Sequence, residues 1–431
     1  PLTIAGSFNA TDASLAASDI RINANLDATT LSLDAKGGTI TNAASGSGSG
    51  YVTASNLDAT ASLVALTGSN AITTLGSINV GSFTLDDNAP LTIAGSFNAT
   101  SASITNTGSL DIAGSFNATD ASLAASDIGI NANLDATTLS LDANAGTIAN
   151  AGSGYVNATT LDAVASLVAL TGSNAITTLG NVSAGSFTLD DNVPLTVAGP
   201  FTATSASLTD TSAGGFDIAG QVSVASLLAL SATGGSITSS GTGSISAPTL
   251  DATASLVALT GSNAITTLGS IRAGNFTLDD NAPLTIAGSF NATNASFADT
   301  SAGGLDIAGQ VSLASLLALS ATSGSITSSG TGSISAPTLD AAASLVALTG
   351  SNVITTLGSI NVGTFTLDDN APLTIAGSLV AQRAAISAAD LTIPGVILVD
   401  GALSLATSGT ISETGTIDPP CSRSQGRGTC C

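Results

Sequence analysis

The chain has 431 residues, of which 43% are hydrophobic, but only 3% are aromatic and tryptophan is absent. The formal net charge is −23 with six basic residues, which argues against nucleic acid or an anionic membrane as a partner, because both are bound through clustered Lys and Arg. Histidine is absent, which excludes Ser-His-Asp and Cys-His catalysis and histidine metal sites. Glu413 is the only glutamate, and we expect that the chain is not an enzyme.

One repeated segment organises the chain: positions 83–95 read Phe-Thr-Leu-Asp-Asp-Asn-Ala-Pro-Leu-Thr-Ile-Ala-Gly. It returns from Phe187 (with two Val substitutions), Phe276 and Phe365. Successive copies of its proline are offset by 104, 89 and 89 positions, and Pro1 opens a half copy that is offset by 89 from the first full one. A period this regular predicts a stacked array. We predict one continuous array over residues 1–418, with long repeats that start near residues 1, 90, 194, 283 and 372.

Apolar residues within a repeat come in pairs with one residue between them, such as Leu91/Ile93 and Phe97/Ala99. This period-two pattern is typical of short strands with one buried face, and the gaps between pairs are too short for helices. Every third pair is similar, and three such pairs start at Leu91, Leu110 and Ile128. The sequence therefore predicts an all-β fold, a parallel β-helix (β-solenoid) with three short strands per coil of about 19 residues and roughly 22 coils.

The second long repeat contains an insertion of one whole coil at residues 101–119. The hexapeptide Gly-Ser-Phe-Asn-Ala-Thr at positions 95–100 recurs at positions 114–119. The same repeat has lost four residues near position 151, and the gain of one coil and this loss together account for the difference between the offsets of 104 and 89. A solenoid can gain a coil without disturbing the remainder, whereas a closed barrel or a sandwich cannot.

The array pattern ends at about Asp418. Residues 419–431 differ in composition and contain all three cysteines, Cys421, Cys430 and Cys431, and we expect them to form a disordered tail. The chain contains no methionine and starts within a repeat, so we interpret it as a segment of a longer protein or as a protein processed at its N-terminus.

The short coils, rich in Gly, Ala, Asn, Ser and Thr, resemble the repeats of filamentous-haemagglutinin-like proteins, as Leu-Ser-Leu-Asp-Ala-Lys-Gly-Gly-Thr-Ile at positions 31–40 illustrates. These are bacterial surface adhesins exported by two-partner secretion, similar in style to autotransporter passengers. The resemblance covers roughly residues 1–418 and is one of pattern. It implies a right-handed β-helix, an extracellular or cell-surface location, and a role as stalk or adhesive fibre.

The predicted function is that of a structural and adhesive rod segment that presents or spaces a binding surface toward host cells or glycans. The alternative is a self-associating extracellular matrix or surface-layer protein, whose partner is another copy of itself. A third possibility, a polysaccharide-active β-helix enzyme, requires basic residues near Asp, and Arg21, Lys36, Arg272 and Arg383 stand singly in the array. We expect no membrane insertion, because no apolar run is long enough to span a bilayer.

Four pairs of adjacent aspartates follow strand patterns and are the candidate metal ligands. We predict that they form turns, in which Asp and Asn accept backbone N–H groups before Pro. Calcium binding is the alternative, although Ca²⁺ requires six to eight oxygen ligands, and no other cofactor is expected. The candidate residues are Asp86, Asp87, Asp190, Asp191, Asp279, Asp280, Asp368 and Asp369.

Asn-Ala-Thr triplets start at Asn9, Asn98, Asn117, Asn157 and Asn291. We interpret them as coil corners in stacked Asn/Thr ladders, with glycosylation as the alternative because they match the acceptor pattern. Threonine rows such as Ile-Thr-Thr at positions 72–74 suggest a flat ice-binding face. However, the residues at the centres of successive apolar pairs are mixed (Thr92, Asp111 and Gly129), which argues against such a face.

Overall fold

The computed structural model describes residues 1–42 and 50–418, and every regular element in them is a β-strand. The chain divides into two compact units, Pro1–Phe216 and Asp217 onward. Across the described ranges there is no helix with the length and apolar character that a membrane span requires.

The first unit contains short strands and long strands that continue around coil corners. Its strands are β1 Leu2–Ile4, β2 Phe8–Ala16, β3 Ile20–Ile22, β4 Leu26–Asp34, β5 Thr39–Asn42, β6 Val52–Ile72, β7 Thr74–Asp87, β8 Leu91–Ile93, β9 Phe97–Asn106, β10 Leu110–Ile112, β11 Phe116–Ala124, β12 Ile128–Ile130, β13 Asn133–Asp142, β14 Thr147–Asn150, β15 Tyr155–Asp191, β16 Leu195–Val197 and β17 Phe201–Asp210.

The second unit begins within β18 and has the same mixture of short and long strands. Its strands are β18 Gly215–Ile218, β19 Gln221–Val224, β20 Leu227–Ser239, β21 Ser244–Asp280, β22 Leu284–Ile286, β23 Ser289–Ala292, β24 Asn294–Asp299, β25 Leu305–Ile307, β26 Gln310–Leu313, β27 Leu316–Ser328, β28 Ser333–Asp369, β29 Leu373–Ile375, β30 Ser378–Ala388, β31 Leu391–Ile393, β32 Val396–Val399, β33 Leu403–Thr407, β34 Ile411–Glu413 and β35 Thr416–Asp418.

Strands of successive coils pair in parallel, one directly above another. In the first unit Leu91 pairs with Leu110, and Leu110 pairs with Ile128, so the three similar apolar pairs of the sequence are stacked neighbours. In the second unit Leu284 pairs with Leu305 in the same way. The predicted fold class is confirmed: residues 1–42 and 50–418 form an all-strand parallel β-solenoid with turns of roughly 19 residues.

The core is a stack of apolar side chains that point inward from each coil. Leu91 and Ile93 are buried, while Thr92 between them lies toward the outside, as strand alternation requires. Large side chains stack in the same direction: the ring centroids of Phe97 and Phe116 are 4.5 Å apart in a parallel stack. A small number of aromatic residues therefore contributes to packing in several coils, because each ring contacts side chains of the neighbouring coils.

In the coil that contains β9, two of the three faces belong to one continuous strand. The residues that were expected to form separate second and third strands, 97–99 and 102–104, lie together in β9. The residue at the corner between them, Thr100, has no register partner in the pairing of β9 with β11. The corner is thus turned by a single residue without interrupting the extended backbone.

The two copies of the hexapeptide in the second long repeat lie in successive coils. Phe116 pairs with Phe97, Asn117 with Asn98 and Ala118 with Ala99, so the copied hexapeptide lies directly above its original. The prediction of a single continuous domain stays a prediction. The predicted tail, with Cys421, Cys430 and Cys431, lies outside the described residues.

Glycines are stacked at the corner between the first and second faces, where successive coils approach closely. A Cβ atom on Gly95 would lie 2.2 Å from the carbonyl oxygen of Gly76, and one on Gly114 would lie 2.1 Å from that of Gly95. No real Cβ contact is so short, so the spacing between coils requires glycine here.

Deletion of residues 101–119 should leave the fold intact, because it removes one complete coil and joins equivalent positions. We expect the β-sheet signal in circular dichroism and the melting temperature to remain close to those of the intact chain. Deletion of residues 101–110 is the matched control and should reduce both, because it removes half a coil and breaks the register. Equal behaviour of the two deletions would contradict the coil assignment.

Gly95→Ala should destabilise the protein by about 1–3 kcal/mol, the usual cost of forcing extra atoms into a packed site. Gly129→Ala is the control, because the nearest atom to its Cβ would be Asp111 Oδ1 at an ordinary 3.5 Å. Thermal unfolding of the two variants measures the difference. A Gly95→Ala melt that matches the Gly129→Ala melt would show that the close approach is not essential.

Candidate functional site

Buried polar side chains occupy one corner of the coils, between the third face and the first face of the next coil. At four places along the described chain a buried Asn is followed one coil later by a buried Asp, and at three of them a third polar side chain follows in the next coil. We call this set the corner ladder. Its members are Asn70, Asp87 and Asn106; Asn174, Asp191 and Asp210; Asn263, Asp280 and Asp299; and Asn352 and Asp369.

The asparagine of each repeat joins three successive coils through its amide. Asn263 Nδ2 donates to the carbonyl oxygens of Leu259, Gly261 and Asp279 at 3.0, 3.1 and 2.9 Å. Its Oδ1 accepts the backbone N–H of Ile245, one coil earlier, at 3.0 Å. One fully buried side chain therefore satisfies backbone groups that the sheet ladder leaves unpaired at the turn.

The aspartate of each repeat performs the same function one coil later. Oδ1 of Asp87 accepts the backbone N–H of Ile72 at 2.8 Å, and Oδ1 of Asp280 accepts that of Ile265 at 2.9 Å. The predicted turn contact is also present, because Oδ2 of Asp87 accepts the N–H of Ala89 at 3.4 Å. The shorter bond nevertheless runs to the preceding coil, which the sequence did not indicate.

The two carboxylates of each Asp-Asp pair point to opposite sides of a strand. Asp87 and Asp280 are buried, while Asp86 and Asp279 are half-buried on the outside. The same alternation separates the other two pairs: Asp190 from Asp191, and Asp368 from Asp369. Adjacent carboxylates thus do not converge on one point, and among residues 1–42 and 50–418 no group of three or more acidic or cysteine side chains is placed to hold a metal ion. Calcium binding stays an untested prediction.

Burial shifts the acidity of the inward carboxyl groups. Loss of hydration raises the pKa of Asp87 to about 6, although backbone N–H bonds oppose the shift. Burial raises the pKa of Asp191 and of Asp280 to about 7, and the nearby carboxylates of Asp210 and Asp299 add to the increase. The pKa of Asp369 is raised by burial as well. Asp191 and Asp280, with pKa values of about 7, therefore hold a proton in about half of the molecules at neutral pH.

A second feature is a row of outward polar side chains on the second face of the first unit. Asn79, Asn98, Asn117, Asp135 and Asn157 are register partners in five successive coils. The four asparagines are exposed, and Asn157 Nδ2 donates to Asp135 Oδ1 at 2.9 Å. We call these five residues the outward amide row.

Three of the five Asn-Ala-Thr triplets place their asparagine in this row, and only the threonine of such a triplet lies at the corner, as Thr100 does. Asn98, Asn117 and Asn157 lie on the flat second face, so the prediction that these asparagines are corner residues is wrong. The reason is that Asn and Thr, two residues apart, share the outer side of a strand, and it is Thr100 that reaches the corner. The predicted stacked ladder is confirmed for these asparagines, while glycosylation stays untested.

The structure confirms that the residues at the centres of the three similar apolar pairs are neighbours on the first face and differ in type. Asp111 pairs with Thr92 on one side and with Gly129 on the other. Three successive coils thus present a hydroxyl, a carboxylate and no side chain. A uniform threonine surface is not present on this part of the first face.

Both units have shallow clefts on their surface. One cleft in the first unit has a volume of about 770 Å³ and is lined by residues that include Tyr155, Ser173, Asp190 and Thr211. A cleft in the second unit has a volume of about 680 Å³ and surrounds Arg272. Both offer hydroxyl and charged groups on an open surface.

The asparagines of the corner ladder were not among the predicted site residues. The signal was present, because Leu-Thr-Gly-Ser-Asn ends at Asn70, Asn174, Asn263 and Asn352, with the same offsets as the proline repeat. A polar residue at an unchanging position after an apolar strand indicates a side chain that caps backbone groups at a turn. The partner coils could not be identified before the register was known.

Comparisons with protein-family models, with curated proteins and with solved structures find no match. The class of the molecule therefore follows from its fold and its corner ladder. It is a parallel β-solenoid repeat protein whose coils are joined at one corner by buried Asn and Asp side chains.

Asn352→Ala should destabilise the protein by at least about 2 kcal/mol, because three carbonyl groups and the N–H of Ile334 lose their partner in a buried site. Asn361→Ala is the matched control, since Asn361 is exposed on the outer surface of the same strand. Chemical denaturation measures both. A similar, small effect of the two substitutions would refute the proposed role of the asparagine.

Proposed function

We propose that the chain is a structural and adhesive segment of a secreted bacterial surface protein of the filamentous-haemagglutinin-like kind. The observation that supports this proposal is the outward amide row, in which four exposed amides and the carboxylate of Asp135 follow one another in five successive coils of the β-solenoid. Surface position, export and the absence of enzymatic activity are parts of the same proposal.

The amide row fits a polyhydroxylated partner. Each amide carries both donors and an acceptor, and the groups follow each other at the spacing of paired strands, about 4.8 Å. An extended glycan offers hydroxyl groups that both donate and accept, so it can contact several coils at once. Such repeated weak contacts increase the overall affinity without any deep pocket.

The charge of the chain favours neutral glycans over acidic ones. The formal net charge is −23, so an anionic polymer would be repelled at low ionic strength. Within the first unit, Asp135 in the row and Asp190 beside Tyr155 place carboxylates next to the candidate contact surfaces. We therefore take uncharged oligosaccharides as the partner class to test first.

The experiment uses beads coated with the full chain under reducing conditions, so that the cysteines near the end of the chain do not cross-link them. We expect saturable binding to host cells and to immobilised neutral glycans, without a requirement for calcium. The triple variant Asn98→Ala, Asn117→Ala and Asn157→Ala should reduce binding at least tenfold, because it removes three contacts that act together.

The matched control is a triple substitution of an exposed row on the neighbouring third face: Ser101→Ala, Asp120→Ala and Thr138→Ala, which are also register partners. It should bind like the unaltered chain. Self-association of beads without binding to cells or glycans would instead support the matrix function. No binding of any kind would leave a passive spacing role and overturn the adhesive part of the proposal.

A further inference from the structure

Two positions in the corner ladder bring two aspartates together in adjacent coils. Asp280 pairs in register with Asp299 in the second unit, and Asp191 pairs with Asp210 in the first. All four side chains are at most 3% exposed. We call these the carboxyl pairs.

The carboxyl pairs lack the hydrogen-bond donors that two buried carboxylates require. Asp280 Oδ2, Asp299 Oδ2 and Asp191 Oδ2 are buried oxygens without a hydrogen-bond partner. The other oxygens of the second pair are satisfied: Asp280 Oδ1 accepts from Ile265 N–H, and Asp299 Oδ1 accepts from Ser301 N–H at 2.6 Å. A carboxylate can only accept, so two facing carboxylates cannot satisfy one another unless one of them carries a proton.

We propose that each carboxyl pair shares one proton, and that the two pairs form a pH-sensitive element that loosens the corner ladder when this proton is lost. A single proton supplies the missing donor and removes one of two like charges from a site with little hydration. The proposal is independent of the adhesive function, because it concerns the cohesion of the coils.

None of the described groups that face the carboxyl pairs is a cation that could neutralise a carboxylate in place of the proton. The coil before Asp280 contributes the neutral Asn263 and the backbone of Ile265, and the coil after Asp299 contributes Ala321. Asp279 on the same strand lies on the outer side. In the first unit, Asp191 has the neutral Asn174 before it and Asp190 beside it on the outer side, and Asp210 accepts bonds from Ser212.

The direction of the pH effect follows from the raised pKa. The pKa of Asp280 rises from 3.8 to about 7 in the folded chain, because of burial first and the charge of Asp299 in addition. Since the folded state holds the proton more tightly than the unfolded state, the stabilisation is complete below about pH 3.8 and is lost as the pH rises through about 7. The pKa of Asp191 is raised in the same direction and for the same reasons.

The chain contains its own comparison. In the first set of the corner ladder the residue above Asp87 is Asn106, an uncharged amide that donates to the carbonyl oxygen of Ser109 at 3.0 Å, while Asp87 Oδ2 accepts the N–H of Ala89. In the last set of the corner ladder Asp369 Oδ2 is also buried without a hydrogen-bond partner. The position above Asp369, next to Ser387 in β30, is occupied by Ala388, so no second carboxylate lies there. Only the two middle repeats of the described chain place a second carboxyl group there.

The test is thermal unfolding of the full chain at pH 5 and pH 8.5, at constant ionic strength and with a chelator. The double variant Asp210→Asn and Asp299→Asn should melt close to the unaltered chain at pH 5 and at least about 2 °C higher at pH 8.5, because the amide remains a donor when the proton has gone. Asn106→Asp should do the opposite, with a lower melting temperature at pH 8.5 and little change at pH 5.

If each variant differs from the unaltered chain by the same melting temperature at pH 5 and at pH 8.5, the proposal is overturned and the carboxyl pairs have a purely structural role. A calcium-dependent rise at pH 8.5 in the unaltered chain, lost in the double variant, would also overturn it in favour of a bound cation. Infrared spectroscopy of the unaltered chain provides a test that no variant can confound. The absorption of protonated carboxyl groups should persist to about pH 7, and its complete loss near pH 4 would refute the shared proton.

Discussion

The hydrogen bond between one coil and the next is the interaction on which every other feature of the molecule depends. Parallel strands stacked in register pair Leu91 with Leu110 and Leu110 with Ile128, and the same stacking aligns side chains of the same kind. Along the flat faces the backbone satisfies itself. At corners it turns away from the ladder, and its polar groups need other partners. The buried amides and carboxyl groups are the solution to this problem.

The corner ladder explains why so polar a set of residues is buried in a protein with a thin apolar core. Asn263 bonds to backbone groups of its own coil and of both neighbours, which an apolar side chain cannot do. Its contribution is therefore to join coils, whereas Leu, Ile and Phe fill the space between faces. Where the neighbouring coils instead approach closely, glycine replaces the side chain altogether, as at Gly95.

Much of the fold was predictable, because strand alternation and a regular period are local properties of the sequence. The pairs around Leu91 and Phe97, and the copied segment that ends at Thr119, led directly to coils and to the inserted coil. The corner ladder was less accessible. Asp87 was recognised as a turn residue, yet its shortest bond goes to Ile72, fifteen positions earlier. Such contacts depend on which residues of successive coils are paired. The sequence alone does not distinguish an aspartate that bonds only within its turn from one that bonds to the preceding coil. The outward position of Asn98 required the same knowledge.

The inserted coil has a consequence for how the array changes over generations. Phe116 lies above Phe97, and Asn117 above Asn98, so the encoded segments are near copies as well as neighbours in space. Recombination between such copies adds or removes one complete layer, and each new layer meets surfaces that already match it. Duplication or deletion of such a segment therefore changes the number of coils by whole coils, while the surface chemistry of the other coils remains the same.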